Sequence, residues 1–131
     1  MLNLAFLLEQ SAARYPEKVA IILDEHKLRF LDVNGAANKL ANALVKLGIH
    51  PGSKVTMLLP NIPQFAICYY GILKTGAVVV PLNVLLKRHE ICYHLDDSES
   101  VALIVWEDFL EEALEGLLMS ECCRHLIVVQ A

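Results

Sequence analysis

The chain has no glycine-rich phosphate loop. Its six glycines, Gly35, Gly48, Gly52, Gly71, Gly76 and Gly116, are too scattered for G-x-G-x-x-G or a P-loop, the two patterns whose backbone N–H groups cradle nucleotide phosphates. There is no G-x-S-x-G elbow for a serine nucleophile. There is no long basic run either. The formal net charge is −4, and the short cluster Lys87-Arg88-His89 reads as a solvated helix start, so nucleic-acid binding has no electrostatic support. Nor is there an uninterrupted apolar stretch of the ~20 residues that a spanning helix needs. The longest apolar region, Phe65 to Leu86, is broken by Lys74, Gly76, Pro81 and Asn83. The start Met1–Glu9 lacks the basic opening and small-residue cleavage site of a secretory signal. A cytoplasmic location without a transmembrane segment is therefore expected, with a peripheral membrane position as the alternative.

Cysteine is scarce and badly spaced for chemistry. Cys68 and Cys92 lie among apolar residues and read as small core side chains, whereas Cys122 and Cys123 are adjacent. Adjacent cysteines lack the C-x₂₋₄-C spacing of zinc sites, and no disulfide framework is implied. Cys122-Cys123 reads as a turn before a strand. The histidines His26, His50, His89, His94 and His125 are dispersed; His89 and His94 are five apart, one more than aligns a metal pair on a helix. Asp96-Asp97-Ser98 reads as a polar helix ending, because adjacent helical residues do not face one site. Lys74 reads as a cation complementing a helix C-terminus. No residue is therefore assigned as catalytic, cofactor-binding or metal-binding.

Apolar residues, by contrast, are in excess. They make up 56% of the 131 residues, with a mean hydropathy of +0.47, against about 45–50% in average proteins. A chain this long already buries a sizeable core. The surplus implies a surface made to be covered by more protein, and residues 1–131 are expected to form a single incomplete domain.

The pattern alternates helix and strand. Asn3 can cap a first helix through Leu4, Leu7, Leu8, Ala12 and Tyr15, ended by Pro16. Val19–Leu23, a polar turn Asp24–Lys27 and Leu28–Phe30 predict a hairpin. A helix over Leu31–Leu47 turns Ala37, Leu40, Ala41, Leu44 and Leu47 inward. Gly48 should end it in the left-handed region, with Ile49 folding back. Lys54–Leu59 predicts a buried strand. Asn61 is expected to cap the next helix, with Pro63 in its first turn and Gln64 completing a capping box; that helix is apolar nearly all round. Ala77–Leu82 predicts a second buried strand, Lys87–Asp96 a helix, and Val101–Trp106 a strand. A helix over Asp108–Met119 should bury Phe109, Leu110, Ala113, Leu114, Leu117 and Leu118, and Leu126–Val129 predicts a last strand. Continuous apolar strands separated by helices imply a mostly parallel sheet. The expected fold is doubly wound α/β, flavodoxin-like or Rossmann-like, with a short N-terminal hairpin.

A family resemblance rests on three runs. Gly48-Ile49-His50-Pro51-Gly52-Ser53-Lys54-Val55 with Leu58-Leu59-Pro60-Asn61 resembles the L-G-[IV]-x-x-G-D-x-V-x-x-L-x-P-N run of acyl-CoA synthetases of the adenylate-forming, AMP-binding superfamily. Gly71 to Asn83 resembles their L-K-x-G-A-x-x-V-P-L-N motif. Glu90–Leu95 with Asp97-Ser98 is similar to their E-[IL]-x-Y-x-L-x-D-S element. Leu40-Ala41-Asn42-Ala43-Leu44 resembles the family's first core helix, and the match is collinear over nearly the whole chain. The resemblance implies the N-terminal part of a fatty-acid–CoA ligase. Such an enzyme joins a carboxylic acid to coenzyme A through an acyl-adenylate, with ATP, Mg and coenzyme A in the full-length enzyme and the remainder of the chain as this segment's partner. The family's phosphate loop, adenine contacts and catalytic lysine would lie beyond Ala131, so the segment alone is expected to be inactive.

Val80-Pro81-Leu82-Asn83 favours fatty-acyl or aryl-CoA ligases over peptide-synthetase adenylation domains. Alternatives are an aryl-CoA ligase, another adenylation-domain fragment, or a free-standing flavodoxin-like module that binds a partner or nucleotide. Self-association through an uncovered face is a further expectation. Two helix starts depart from the family's Ser/Thr-x-x-Glu capping box: they hold Arg29…Asp32 and Lys87…Glu90. A cation there cannot accept the orphan N–H bonds, an expected loss of ~1 kcal/mol at each.

Overall fold

The computed structural model describes residues 2–131; Met1, the first residue of the segment compared above with a secretory signal, lies outside the described residues. The chain divides into two compact units, Met1–Pro51 with Asn61–Ala77, and Gly52–Pro60 with Val78–Ala131.

The first unit holds α1 (Ala5–Arg14), the strands β1 (Val19–Leu23) and β2 (His26–Arg29), α2 (Phe30–Lys46) and α3 (Pro63–Lys74). The Ala5 N–H donates to Asn3 Oδ1 at 2.9 Å, so Asn3 satisfies an orphan donor of α1 as the sequence suggested. β1 and β2 are antiparallel with Leu23 opposite His26. The turn is therefore Asp24-Glu25 alone, shorter than expected, and Asp24 sits at φ 53°. Aspartate tolerates that left-handed conformation, so two residues suffice and the polar His26 and Lys27 become strand.

Helix α2 buries Val33, Ala37, Ala41 and Leu44, but Leu47 is its C-cap and is 42% exposed. Gly48 follows at φ 94°. The Gly48 N–H donates to the Val45 carbonyl and the Ile49 N–H to the Leu44 carbonyl, both at 3.0 Å. This is the Schellman closure, and Ile49 folds back into the core at 3% exposure.

Helix α3 corrects one expectation. Its N-cap is Ile62, with no side-chain cap bond and Pro63 at the first helical position. Asn61 could cap only if Ile62 were helical, but a residue before proline is driven to extended backbone, and Ile62 has φ −124° and ψ 163°. Gln64 then stands too early for a capping box. None of the residues 63–74 is exposed, as its all-round apolar character requires. Leu8, Val33 and Ala37 form this unit's core with Ile21, Leu28, Phe30, Ile67 and Tyr70.

The second unit holds β3 (Lys54–Leu58), β4 (Val78–Pro81), α4 (Arg88–Ser98), β5 (Ala102–Trp106), α5 (Leu110–Met119) and β6 (His125–Val129). Its four strands are all parallel, in the order β4-β3-β5-β6. Together with the antiparallel hairpin this makes a mixed α/β fold. Val55, Met57 and Leu58 of β3, and Ala102 to Val105 of β5, are fully buried. Leu58, Leu103 and Val105 meet Ile91 and Leu95 of α4 and Ala113 of α5.

The strand β4, expected to be buried, is an edge strand: Val78 is 47% exposed. Only two of the four strands can be central, and an edge is where Pro81 is tolerated, since it donates nothing to the ladder.

The expected helix over 108–119 also changes. Glu107–Phe109 form a 3₁₀ turn, and α5 begins at Leu110. Leu114 is 40% and Leu118 68% exposed, whereas Gly116 is buried. A Cβ at Gly116 would meet the Arg88 carbonyl oxygen and Ile91 Cγ2, each at 2.9 Å. The missing side chain lets α4 and α5 approach there, so the inward stripe is 109, 110, 113, 116 and 117, and the larger leucines turn outward.

Candidate functional site

In an open parallel sheet, ligands bind beyond the carboxyl ends of the strands, where the strand order reverses. The order β4-β3-β5-β6 places that reversal between β3 and β5, because the chain leaves β3 for β4 on one side and β5 for β6 on the other. At these ends lie Leu58-Leu59-Pro60 and Trp106-Glu107-Asp108. The Trp106 indole N–H donates to Asp108 Oδ2 at 3.1 Å, Glu107 Oε1 accepts the Ala131 N–H at 3.1 Å, and Asn83 Oδ1 accepts the Leu85 N–H at 2.9 Å. The charged groups here are two carboxylates, which repel a polyphosphate. The donors named are already engaged. The groups named at this edge offer no cation to a phosphate.

Arg88, in the middle of the basic cluster, has a structural role. The N-cap of α4, Lys87, makes no side-chain cap bond, as expected. The orphan Arg88 N–H instead donates to Glu112 Oε2 of α5 at 2.8 Å. The Arg88 guanidinium grips the same carboxylate at 3.1 and 2.9 Å. Those bonds hold the Glu112 carboxyl down at about 2. A neighbouring helix thus supplies the missing cap. At α2 the remedy is local: the Arg29 N–H donates to Asp32 Oδ2 at 2.9 Å, half of a capping box. The Arg29 guanidinium grips Asp32 and also reaches Glu17. These contacts answer part of the stability loss expected from the two cations.

The densest polar cluster surrounds Asp96. Its Oδ1 accepts the Ser120 hydroxyl at 2.6 Å, the Glu121 N–H at 3.0 Å and the Cys122 thiol at 3.4 Å. Its Oδ2 accepts the Cys92 thiol at 3.7 Å. The Ser120 and Cys122 bonds and the Glu121 N–H outweigh desolvation, and the Asp96 carboxyl lies below the usual range. The sequence reading of a polar helix ending missed this role, since the partners lie 24 to 26 residues away. Ser98 and Ser100 share a hydrogen bond of 2.7 Å, and Ser100 shares another of 2.7 Å with Thr56, a hydroxyl chain that joins the end of α4, through the turn before β5, to β3.

None of the four cysteines has its thiol pKa lowered. Burial pushes the Cys68 thiol up to about 12 and the Cys123 thiol up to about 11. Burial first, then Asp96, raises Cys92; burial also raises Cys122. A thiol that is ionised at neutral pH needs the opposite shift, so these four are thiols there and become thiolates only at higher pH. Lys74 closes α3, and its ammonium pairs with Glu9 at 2.8 Å with only 6% of the side chain exposed. Among the described residues, no group of three or more His, Cys, Asp or Glu side chains could hold a metal ion, and no helix is long and apolar enough to cross a membrane.

Comparison with known proteins matches the model of the AMP-binding enzyme family to residues 8–130. A long-chain-fatty-acid–CoA ligase of Bacillus subtilis (strain 168) is 43% identical over 125 residues, which is 95% of this chain and 22% of that ligase. The chain thus spans under a quarter of the length of this relative. The crystal structure of an anthranilate CoA ligase with anthranoyl-AMP matches with a TM-score of 0.92 and 30% identity, over 98% of this chain and 25% of that one. A Mycobacterium tuberculosis fatty acyl CoA synthetase matches with a TM-score of 0.89 and 28% identity, over 97% of this chain and 26% of that one.

Proposed function

Because the chain belongs to the AMP-binding enzyme family, we propose that it forms the N-terminal part of a fatty-acid–CoA ligase. The proposed enzyme converts a carboxylic acid, ATP and coenzyme A into acyl-CoA, AMP and pyrophosphate, by way of an acyl-adenylate. The observation that carries this reading is the 43% identity to a long-chain-fatty-acid–CoA ligase along 95% of the chain.

The part played by these residues is architectural. β3 and β5 supply a buried parallel core, and Gly116, Glu112 and Asp96 fix α4, α5 and the approach to β6. No step of the reaction is assigned to them, because the groups at the sheet's carboxyl edge are acidic or already bonded. ATP, Mg, coenzyme A and the acid would be held by the rest of such an enzyme. A cytoplasmic location belongs to the same proposal and is tested by fractionating cells that make the full-length protein.

The deciding experiment is acid-dependent ATP–pyrophosphate exchange. Full-length protein carrying this chain is expected to exchange with a fatty acid, whereas the 131-residue chain is expected to be silent. Exchange by the short chain would overturn the placement of the chemistry outside it. An aryl-CoA ligase is the second reading, favoured by the fold match to the anthranilate CoA ligase. Exchange by the full-length protein with anthranilate or benzoate in place of fatty acids would select it.

A further inference from the structure

Two thiols from different elements converge on one carboxylate. Cys92, on α4, donates to Asp96 Oδ2 at 3.7 Å, and Cys122, between α5 and β6, approaches Asp96 Oδ1 at 3.4 Å. The Cys122 sulfur also stands 3.4 Å from the Leu95 carbonyl oxygen and 3.7 Å from the Ser100 carbonyl oxygen, at the C-terminal end of α4. Both thiols are free and only partly buried. Cys92 is held by its helix, and Cys122 lies in residues 120–124, which carry no helix or strand and are tied to α4 by the Ser120 and Glu121 bonds to Asp96. The neighbouring thiol of Cys123 is directed elsewhere, toward the His125 carbonyl, in a residue 2% exposed. Cys68 lies in the other compact unit.

We infer that Cys92 and Cys122 form a reversible redox pair, a modification site whose oxidant is a low-molecular-weight disulfide. The Cys122 thiolate attacks one sulfur of that disulfide, forming a mixed disulfide and releasing one thiol. The Cys92 thiolate then attacks the Cys122 sulfur and expels the second thiol. Two protein thiols are oxidised and one disulfide is reduced to two thiols; the two protons that the protein thiols give up are taken up, through solvent, by the two departing thiolates. The product clips α4 to the segment that leads into edge strand β6. It removes two S–H donors from Asp96 and leaves the Ser120 and Glu121 bonds in place. The pair stands independently of the ligase reading.

The test treats the purified chain with oxidised glutathione at pH of about 8.5, since thiolate is the attacking form. Remaining thiols are then alkylated and the peptides mapped by mass. The expected result is a fall from four free thiols to two, with the peptides holding Cys92 and Cys122 joined and separated again by reductant. The Cys92→Ser chain, its fold verified by far-UV circular dichroism, should stop at glutathione bound to Cys122. A bridge between Cys122 and Cys123, glutathione carried separately on Cys92 and Cys122, or no reaction at either residue would overturn the inference.

Discussion

At the residue scale, the chain answers its own poor helix starts with carboxylates. Lys87 and Arg88 oppose the dipole of α4, yet Glu112 accepts both the Arg88 N–H and its guanidinium. The Glu112 carboxyl moves from 4.5 in the unfolded chain down to about 2 in the fold. A depressed carboxyl contributes stability that is fully present above its unfolded value and is lost as pH falls toward the folded one. The stability difference between the native chain and Glu112→Gln should therefore be constant above pH 4.5 and shrink between pH 4.5 and about 2. Urea midpoints measured across that range check it, and a difference independent of pH would show that charge is not what Glu112 contributes. The spacing of Lys87 and Glu90 disclosed the missing local cap. Its replacement 24 residues away left no trace in the local pattern.

At the element scale, two glycines act through different physics. Gly48 has φ 94°, and a Cβ there would meet nothing within 4 Å, so Gly48→Ala tests backbone conformation alone. It should destabilise by ~1–2 kcal/mol, the penalty of a left-handed L-residue. Gly116 lies in ordinary helix, where alanine would gain ~0.5–1 kcal/mol. Its Cβ would, however, press on backbone and a β-branched side chain at 2.9 Å. Overpacking of ~1–3 kcal/mol outweighs that gain, so Gly116→Ala should also destabilise. Chemical denaturation of both variants checks the signs, and a stabilised Gly116→Ala would mean that α4 and α5 can move apart freely. Gly48 was legible in the sequence because a helix end is a local event. Gly116 was not, because its role depends on which helix lies opposite; the same ignorance put Leu114 and Leu118 on the wrong face.

At the scale of the whole chain, the apolar surplus anticipated in the sequence is visible as exposed side chains. In the second unit Tyr93, Leu114, Leu118, Met119 and Val128 all exceed 37% exposure, the lowest being Val128 at 38%. Scattered apolar residues on a surface are ordinary, so their number matters less than the position of Val128 on the edge strand β6. The 131-residue chain alone is expected to scatter light with an apparent mass that rises with concentration, and Leu118→Glu with Val128→Lys should lower that rise. A constant monomer mass for the unmodified chain at high concentration would refute the expected self-association.

What the sequence determined by itself was local: the alternation of helix and strand, the bounds of β1, the Gly48 ending and the family motifs over residues 48–98. These depend on neighbours within a few positions, where propensity, capping and proline sterics operate. Even the Ile62 start of α3 was written there, in the rule that a residue before proline cannot be helical. The tertiary structure alone decided the rest. Strand order made β4 an edge, the approach of α4 and α5 selected Gly116 over Leu114 for burial, and Asp96 and Glu112 acquired partners from distant segments. Such pairings depend on through-space distances that a linear pattern does not carry. The candidate site divides the same way: the lack of a phosphate or nucleophile motif could be read directly, but the meeting of Cys92 and Cys122 at one carboxylate required the fold.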